Sequence, residues 1–337
     1  MKKIFIITIS VILLAILIFS IYCYEKINSK VDTTENIELN ISNNSGINEV
    51  IKNLNEQGLL KPNWLFLTVA RGYARATGKF IFAGVHQFPA TLTNGELIVA
   101  LFSGKNLLVT KVTFPEGITV KRFASILQRD MNIDSVYFVQ LCHDRDFIKK
   151  LGMEANNLEG YLMPSTFTFF VNITAEKIIE TLVNEQKKVW RKYEDYAKKI
   201  GFDYHKTLTL ASIIEAETPV IAERRLVSGV YHNRLKRGML LQADPTVQYA
   251  LGTTKKRLLY ADLRIDSPYN TYKYAGLPPG PINSPSPSSI EAAVNPKKTD
   301  YLFFVAVGDG SNRHNFSKNY AEHLKQVAIF RKNRKQN

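Results

Sequence analysis

The chain has 337 residues, of which 45% are hydrophobic and 11% aromatic, and it carries a formal net charge of +14. This length exceeds the usual size of one domain and favours two folded units plus an anchor, with enough apolar material for a sizeable core. The two cysteines, Cys23 and Cys142, exclude a disulfide framework and a cysteine-based metal site, so the core must hold the fold. The basic residues are scattered and come without a nucleic-acid motif, so an anionic surface explains the charge as well as nucleic acid does.

The first segment is predicted to be a membrane anchor. Residues 1–3 include two lysines, and residues 4–24 form an uncharged apolar run that spans about 30 Å as a helix, the thickness of a bilayer core. A cleaved signal peptide is the alternative, but its apolar region is shorter and a small-residue cleavage site follows it. The positive charges before the run predict that residues 1–3 lie in the cytoplasm and the rest outside. Residues 25–38 are polar and are predicted to be a tether.

Residues 39–111 show the order strand, helix, helix, strand, which predicts a small module of helices against a short sheet. One helix begins near Ile47 and is closed by Gly58, and a later helix is capped by Thr93 and ends at Gly104. A dimerisation or spacer domain has the same pattern, and the pattern alone leaves that alternative open.

Residues 112–330 are predicted to be a mainly helical domain, and residues 331–337 a basic tail. A lysine-rich amphipathic helix is predicted from Ala175 to Ile200, with its charges on a solvated face. Another helix is predicted over residues 208–218 and ends there because a residue that precedes proline resists the helical conformation.

The helix over residues 208–218 carries two carboxylates, Glu215 and Glu217, and helical geometry separates them. At about 100° per residue, Glu217 falls on the stripe of bulky apolar residues, which are Leu210, Ile213 and Ile214. Desolvation there and the negative end of the helix dipole both disfavour the ionised form of Glu217. A glutamate that stays protonated near neutral pH is what a general acid for glycosidic cleavage requires. Periodicity alone favours the alternative, in which Glu217 reaches solvent or pairs with Arg224 or Arg225.

Polar and aromatic side chains gather on proline-containing loops after this helix. A carbohydrate site needs amide and hydroxyl groups for hydrogen bonds and aromatic rings for sugar faces, held on stiff loops. The residues that fit this description are Gln242, Asp244, Thr246, Tyr269, Asn270 and Tyr272. Each loop taken singly is better explained as an ordinary turn.

A series of ordered motifs carries a family resemblance. They are LEGYLMPSTF (158–167), ASIIEAET (211–218), ER (223–224), NRL and QADPTVQYALG (within 233–252), SPYNTY (267–272), GLPPGPI (276–282) and HNFS (314–317). The chain resembles the endolytic murein transglycosylase family, the YceG-like proteins, over nearly its whole length. The resemblance implies an α+β fold with a single transmembrane helix, a LysM-like module at 39–111 and a catalytic domain at 112–330.

The resemblance also implies which residues form the site. The family's catalytic glutamate is the second glutamate of its E-x-E-T helix and maps onto Glu217, the residue that helical geometry selects. The family's YNTY loop maps onto Tyr269–Tyr272. Where the family usually has Phe-Pro-Asp-Thr-Tyr, this chain departs from the pattern at Met163, Ser165 and Phe167.

The implied reaction is cleavage of the bond between N-acetylmuramic acid and N-acetylglucosamine in nascent glycan strands of peptidoglycan, with a 1,6-anhydro end as product. One carboxylate, Glu217, suffices for it, with no metal and no cofactor, and Glu215 and the loop residues position the substrate or stabilise charge. Two alternatives stay open. One is a hydrolytic muramidase with Asp244 as the second carboxylate, and the other is a non-catalytic glycan-binding scaffold for wall synthases.

The implied partners are the glycan strands, the membrane through the N-terminal helix, and wall synthases. No nucleic-acid partner is expected, because the basic residues would lie outside the membrane. The implied location is the cell membrane, the inner membrane in a Gram-negative cell, crossed once, with the catalytic domain on the extracytoplasmic side.

Overall fold

The computed structural model describes residues 2–31, 36–42, 45–57, 60, 64–253 and 258–336, and the predicted helix stop at Gly58 lies outside them. Over the described residues the chain is mainly helical with short two-stranded sheets, which confirms the α+β class. The helices are α1 (Lys2–Asn28), α2 (Ile47–Glu56), α3 (Trp64–Thr77), α4 (Asn94–Ser103), α5 (Val120–Met131), α6 (Ser135–Leu141), α7 (Arg145–Lys150), α8 (Ala175–Arg191), α9 (Glu194–Lys199), α10 (Tyr204–Glu217), α11 (Ile221–Lys236), α12 (Asp244–Leu251), α13 (Pro287–Val294) and α14 (Tyr320–Gln336). The strands are β1 (Ile37–Ile41), β2 (Gly84–Phe88), β3 (Val109–Thr113), β4 (Thr166–Phe170), β5 (Phe303–Ala306) and β6 (His314–Ser317), and they pair as β1 with β2, β3 with β4 and β5 with β6.

The chain divides into two compact units. The first contains Met1–Thr110 and Thr168–Ile173, and the second contains Lys111–Phe167 and Thr174–Asn337. The return segment Thr168–Ile173 is a feature that the predicted boundaries do not include. It carries most of β4, so the first unit is formed from two separate stretches of the chain.

In the first unit, an antiparallel pair of strands packs with helices. β1 pairs with β2 from Ile37 opposite Phe88 to Ile41 opposite Gly84, and α2 and α3 connect the two strands. β1 alternates buried and exposed residues, as a strand with one buried face does, and its buried residues join a core with the apolar faces of the helices. The predicted helices near Ile47 and after Thr93 correspond to α2 and α4 and the predicted last strand to β3, whereas α3 and β2 between them are not predicted from the sequence. Glycan binding by this unit stays a prediction.

Helix α4 begins and ends where the sequence predicts. The Thr93 hydroxyl accepts from the Glu96 N–H, and the Glu96 carboxylate accepts from the Thr93 N–H, which is a capping box. At the other end Gly104 adopts φ 66°, a left-handed conformation in which a residue with a Cβ is strained. Local sequence therefore sets both boundaries of this helix.

The N-terminal helix is longer than the predicted apolar run. α1 continues to Asn28, the Asn94 side-chain amide donates to the Lys26 carbonyl oxygen at 3.0 Å, and the Val31 N–H donates to the Leu92 carbonyl oxygen at 2.9 Å. Residues 25–28, which are predicted to belong to a tether, therefore continue α1, and these hydrogen bonds join Lys26 to Asn94 and Val31 to Leu92 within the first unit. α1 is long and apolar enough to cross a membrane, a property that signal sequences share.

Helix α10 is the centre of the second unit and packs against α11, α12 and α13. It begins at Tyr204, four residues before the predicted start, because the Asp203 carboxylate caps it by accepting from the Lys206 N–H at 2.7 Å. Every residue from Thr207 to Ile214 is buried. The whole circumference of this helix therefore lies in the core.

The predicted single helix from Ala175 to Ile200 is wrong. The structure contains two helices, α8 and α9, with a break at Lys192 and Tyr193, whose N–H groups donate to the carbonyl oxygens of Val189 and Trp190. These bonds span three residues and tighten the last turn, which ends α8. Periodicity continued across the break and so could not reveal it.

Candidate active site

Helix α10 places Glu217 in a cleft of the second unit. Glu217 is the last helical residue, and Thr218 leaves the helix with φ −142° and ψ 126°, the extended conformation that Pro219 favours before it. The cleft has a volume of about 310 Å³ and is lined by Glu217, Tyr231, Arg234, Leu241, Gln242, Asp244, Tyr272, Phe303, Phe304, Tyr320 and His323. Over the described residues, no three His, Cys, Asp or Glu side chains are grouped to hold a metal ion.

Among the described residues, the buried hydroxyl of Tyr231 donates to Glu217 Oε1 at 2.7 Å. Burial raises the pKa of Glu217 to about 7, and the negative charge of Asp244 raises it as well. The Tyr231 hydrogen bond and the positive charge of Arg234 act in the opposite direction. Glu217 is therefore a carboxyl that can both hold and release a proton near neutral pH.

Arg234 brings a buried positive charge to the same cleft. Its Nε donates to the Leu302 carbonyl oxygen at 2.7 Å, and its Nη1 donates to the Leu241 carbonyl oxygen at 2.8 Å and to Gln242 Oε1 at 3.3 Å. Its guanidinium carbon lies 5.2 Å from the centre of the Phe303 ring. These contacts hold the guanidinium in place with backbone oxygens and the Gln242 side-chain oxygen, and within the described part of the chain Glu217 forms no ion pair.

Asp244 and Tyr272 form a second pair at the edge of the cleft. The Tyr272 hydroxyl donates to Asp244 Oδ1 at 2.5 Å, while Asp244 itself is exposed. Burial and the Asp244 carboxylate both raise the pKa of Tyr272, so its hydroxyl keeps its proton. The structure thus brings together four of the predicted residues, which are Glu217, Gln242, Asp244 and Tyr272.

Thr246 and Asn270 are buried supports and do not line the cleft. The Thr246 hydroxyl bonds the Thr271 hydroxyl at 2.9 Å, and Thr271 also accepts from the Ala243 N–H at 2.9 Å. The Asn270 amide donates to two backbone carbonyl oxygens, and its Oδ1 accepts from the Tyr272 N–H at 3.0 Å. The bonds of Thr271 join the start of α12, which carries Asp244, to the loop that carries Tyr272, and the bonds of Asn270 fix the shape of that loop.

Tyr269 also lies away from the lining of the cleft. Its ring packs on Tyr249 with centroids 4.8 Å apart, and burial raises the pKa of its hydroxyl. Ser165 and Phe167, where the family pattern is broken, lie at β4: the Ser165 carbonyl oxygen accepts from the Phe114 N–H. Neither lines the cleft.

Glu215 points away from Glu217 into a polar cluster. Its carboxylate pairs with Arg224 at 2.8 Å, and the two side chains are only 6% and 5% exposed. It also accepts from the N–H of Ser286, at 2.8 Å, and from the hydroxyl of the same residue. Arg224 in turn donates to the hydroxyls of Ser286 and Ser288. Glu215 therefore connects α10 with α11 and with the first turn of α13, and it lies outside the cleft.

The apolar stripe that selects Glu217 from the sequence does not distinguish the two carboxylates in the structure. Leu208, Ala211 and Ser212, on the side of Glu215, are as completely buried as the apolar residues on the side of Glu217. The two carboxylates differ in their partners, because Glu215 forms an ion pair with Arg224, whereas Glu217 accepts a hydrogen bond from the neutral Tyr231 hydroxyl. The alternative in which Glu217 pairs with Arg224 or Arg225 is not observed, since Arg225 donates to Asn295.

The other wall of the cleft is aromatic and comes from the C-terminal part of the chain. β5 supplies Phe303 and Phe304, and α14, which packs on β5 and β6, supplies Tyr320 and His323. The His323 and Phe303 rings stack with centroids 5.2 Å apart. Burial and the charge of Arg234 lower the pKa of His323, so this imidazole is neutral at pH 7.

The sequence profile of the YceG-like family matches residues 39–329. The chain belongs to this family. A relative from Bacillus subtilis (strain 168), named endolytic murein transglycosylase, is 34% identical over 321 residues, which cover 90% of this chain and 88% of the relative. A relative of the same name from Streptococcus pneumoniae serotype 2 (strain D39 / NCTC 7466) is 30% identical. The match covers 86% of this chain and 58% of that relative. The crystal structure of a yceG-like protein from Listeria monocytogenes is 33% identical with a TM-score of 0.60, and the match covers 87% of this chain and 99% of that one.

Membership of the YceG-like family confirms the resemblance drawn from the motifs. Sequence reasoning nevertheless missed part of the cleft, namely Tyr231, Arg234, and the aromatic residues Phe303, Phe304, Tyr320 and His323. A signal for two of them exists in the sequence. Tyr231 and Arg234 are three residues apart in α11 and therefore share a helical face, and Arg234 is the arginine of the NRL motif. The aromatic wall has no such local signal.

Proposed function

We propose that this chain is a membrane-bound endolytic lytic transglycosylase that cleaves the bond between N-acetylmuramic acid and N-acetylglucosamine in nascent peptidoglycan. The curated relatives that bear the name endolytic murein transglycosylase support the substrate and the class of enzyme. The observation that carries the chemistry is the Glu217 carboxyl, which lies in a cleft, has a pKa of about 7 and is paired with a tyrosine hydroxyl and not with a cation. A carboxyl in this state can act first as an acid and then as a base.

In the first step, the protonated Glu217 carboxyl donates its proton to the glycosidic oxygen as the bond from that oxygen to C1 breaks. The Tyr231 hydroxyl and the Arg234 charge then stabilise the carboxylate that forms, and Asp244 contributes negative charge near the positive C1. In the second step, the Glu217 carboxylate accepts the proton of the muramoyl C6 hydroxyl while that oxygen bonds to C1. The product is a 1,6-anhydro end, and no water is consumed.

A hydrolytic muramidase is the second candidate, because Asp244 supplies a second carboxylate in the cleft. Its Oδ1 already accepts from the Tyr272 hydroxyl, which favours a supporting role over activation of water. The products distinguish the two reactions, since hydrolysis leaves a reducing end about 18 Da heavier than the anhydro end, a difference of one water.

The test uses the full chain in detergent and purified peptidoglycan, with products identified by mass spectrometry. We expect anhydro ends from the wild type and none from Glu217→Gln, while Glu180→Gln, which changes an exposed carboxylate on α8, keeps full activity. Equal melting curves for the two variants show that the loss is chemical. Reducing ends from the wild type would support the muramidase, and an active Glu217→Gln variant would contradict the assignment of Glu217. Binding of peptidoglycan without any cleavage by the wild type would support the scaffold.

The membrane part of the proposal rests on α1 and on the hydrogen bonds that hold residues 26–31 to the first unit. A single crossing with the N-terminus in the cytoplasm places the catalytic unit on the extracytoplasmic side, beside newly made strands. Accessibility of the chain to a protease that cannot cross the membrane tests this orientation. Protection of the second unit in intact spheroplasts would contradict it.

We also propose that the first unit binds glycan, as a LysM-like module would. A cavity of about 640 Å³ lies between the loop from β1 to α2 and the loop from α3 to β2, with Ile47, Arg75 and Phe80 among its lining residues. Phe80 is 85% exposed, so its ring is open to a sugar face. Binding of peptidoglycan by Glu217→Gln should weaken on Phe80→Ala. No change on this substitution would leave the first unit as a spacer.

A further inference from the structure

The cleft contains a buried cation that the proposed proton transfers do not fully use. Arg234 is 8% exposed, and its Nε and Nη1 donate to oxygens of Leu302, Leu240, Leu241 and Gln242. Its Nη2 has no acceptor among the described residues, and within that part of the chain no carboxylate forms an ion pair with it. Because protein oxygens fix the rest of the guanidinium and Arg234 lines the cleft, Nη2 is a positioned donor for a ligand oxygen there.

The position of Arg234 relates this free donor to the reacting bond. The side chains of Arg234 and Glu217 line the same cleft, and the Arg234 charge offsets a small part of the rise in the pKa of Glu217 that burial causes. A ligand oxygen bound at Nη2 therefore belongs to a sugar unit next to the bond that Glu217 protonates.

An aromatic surface begins at the same guanidinium. Arg234 lies over the Phe303 ring, His323 stacks on Phe303, and Tyr320 follows with its ring centroid 5.9 Å from that of Phe303. Phe303 and His323 bury part of their ring surfaces in these contacts, whereas Tyr320 is 61% exposed. Tyr320 is therefore the ring of this wall with free surface for the apolar face of a sugar.

The charges in the cleft indicate which oxygen binds. The exposed Asp244 carboxylate is already in the lining and repels a second anion, which disfavours a carboxylate of the substrate. A sugar hydroxyl can both donate hydrogen bonds to water and accept them from it. An amide carbonyl oxygen only accepts, so it gains most from a fixed guanidinium donor.

We propose that Arg234 and Tyr320 form a subsite for one N-acetylhexosamine unit, in which Arg234 Nη2 donates to the acetamido carbonyl oxygen and the Tyr320 ring packs on the sugar face. This subsite rests on the proposed function, because the glycan of peptidoglycan supplies an acetamido group on every sugar. It makes the C-terminal helix α14 part of the substrate-binding surface and explains why a family motif ends in the strand β6 that supports it.

The test compares two neutral ligands that differ at C2, tetra-N-acetylchitotetraose and cellotetraose, which carries a hydroxyl in place of the acetamido group. Binding is measured by ligand-observed NMR to the full chain in detergent with the Glu217→Gln substitution, so that no turnover occurs. We expect the acetylated ligand to bind about tenfold more tightly, the factor that one charge-assisted hydrogen bond supplies. Equal affinities, or no binding of either sugar, would overturn the acetamido contact without any further substitution.

Three further variants of the Glu217→Gln chain locate the subsite. Tyr320→Ala should weaken both ligands about fivefold, since it removes the sugar platform. Tyr196→Ala removes another exposed tyrosine, on α9 and outside the cleft, which is 49% exposed against 61% for Tyr320, and should weaken neither. Arg234→Lys should abolish the preference for the acetylated ligand if the chain still melts as the parent does. Unchanged binding in Tyr320→Ala would remove Tyr320 from the subsite.

Failure of this subsite is distinguishable from failure of the proposed function. If the wild type makes anhydro ends from peptidoglycan but the Glu217→Gln chain binds both tetrasaccharides equally, the proposed function is supported and the subsite is rejected. If the preference for the acetylated ligand and the weaker binding by Tyr320→Ala are found but the wild type cleaves nothing, the subsite is supported and the catalytic proposal is rejected.

Discussion

The Tyr231 hydroxyl donates a hydrogen bond of 2.7 Å to Glu217 Oε1, and it comes from a helix, α11, that packs directly on the helix carrying Glu217. The bond favours the ionised carboxylate, whereas burial of Glu217 favours the protonated carboxyl more strongly. Their balance leaves the pKa of Glu217 at about 7. A small change in its burial or in the Tyr231 hydrogen bond therefore changes the protonation of Glu217 near neutral pH.

Tyr231→Phe should shift the pH dependence of cleavage to higher pH. The substitution removes the hydrogen bond that stabilises the Glu217 carboxylate, so the pKa of Glu217 rises, by about one unit for a bond of this kind. The measurement is kcat/KM for peptidoglycan from pH 5 to 9, in which the fall in activity at high pH reports loss of the acid. Tyr137→Phe is the matched control, because it removes a tyrosine bond to Glu176 far from the cleft. A shift to lower pH would contradict the role of Tyr231.

Asp244→Asn should shift the same profile in the opposite direction. The negative charge of Asp244 raises the pKa of Glu217, and its removal lets Glu217 ionise at lower pH. The asparagine oxygen can still accept from the Tyr272 hydroxyl, so the loop is retained. We expect reduced activity at pH 7 that recovers at lower pH. Complete loss of activity at every pH would instead indicate that Asp244 is itself an essential carboxylate.

Glu217 should also make the stability of the second unit depend on pH. Its folded pKa of about 7 lies above the ordinary value of 4.5, so the folded state holds a proton that the unfolded state has lost. The contribution of Glu217 to the free energy of unfolding is therefore full below pH 4.5 and is lost as pH rises towards 7. Urea unfolding of the full chain in detergent, followed by Trp190 fluorescence with Trp64→Phe, measures it. The difference between wild type and Glu217→Gln should change over this interval, and a constant difference would be inconsistent with the raised pKa.

Glu215→Ala should destabilise the second unit far more than Glu217→Gln. It leaves the buried Arg224 charge without its carboxylate, which typically costs about 3 kcal/mol or more. The midpoint of urea unfolding, read from the same Trp190 fluorescence, checks the magnitude. Lys198→Ala breaks an exposed ion pair with Glu194 and should have almost no effect, since solvent screens such pairs. Similar midpoints for Glu215→Ala and the wild type would mean that Glu215 is not a structural partner.

Features set by residues close together in the chain could be read from the sequence. The capping box of Thr93 and Glu96 and the left-handed Gly104 define α4, and Pro219 holds Thr218 in the extended conformation that ends α10 at Glu217. The break between α8 and α9 was not visible, because apolar periodicity continues across it. Local rules therefore predict both ends of α4 and the C-terminal end of α10, and they fail where the apolar pattern runs through a turn.

By itself the sequence determined the α+β class and the family, and it predicted Glu217 as the catalytic residue, because ordered motifs and helix ends depend on neighbours within a few residues. Only the tertiary structure decided why Glu217 and not Glu215 faces the cleft. Ser286, which lies 71 residues after Glu215, closes a polar cluster around that carboxylate together with Arg224. The aromatic wall that includes Tyr320 depends in the same way on the packing of α14 against β5. Such contacts are made between distant parts of the chain, and burial, ion pairing and the pKa of Glu217 all follow from them.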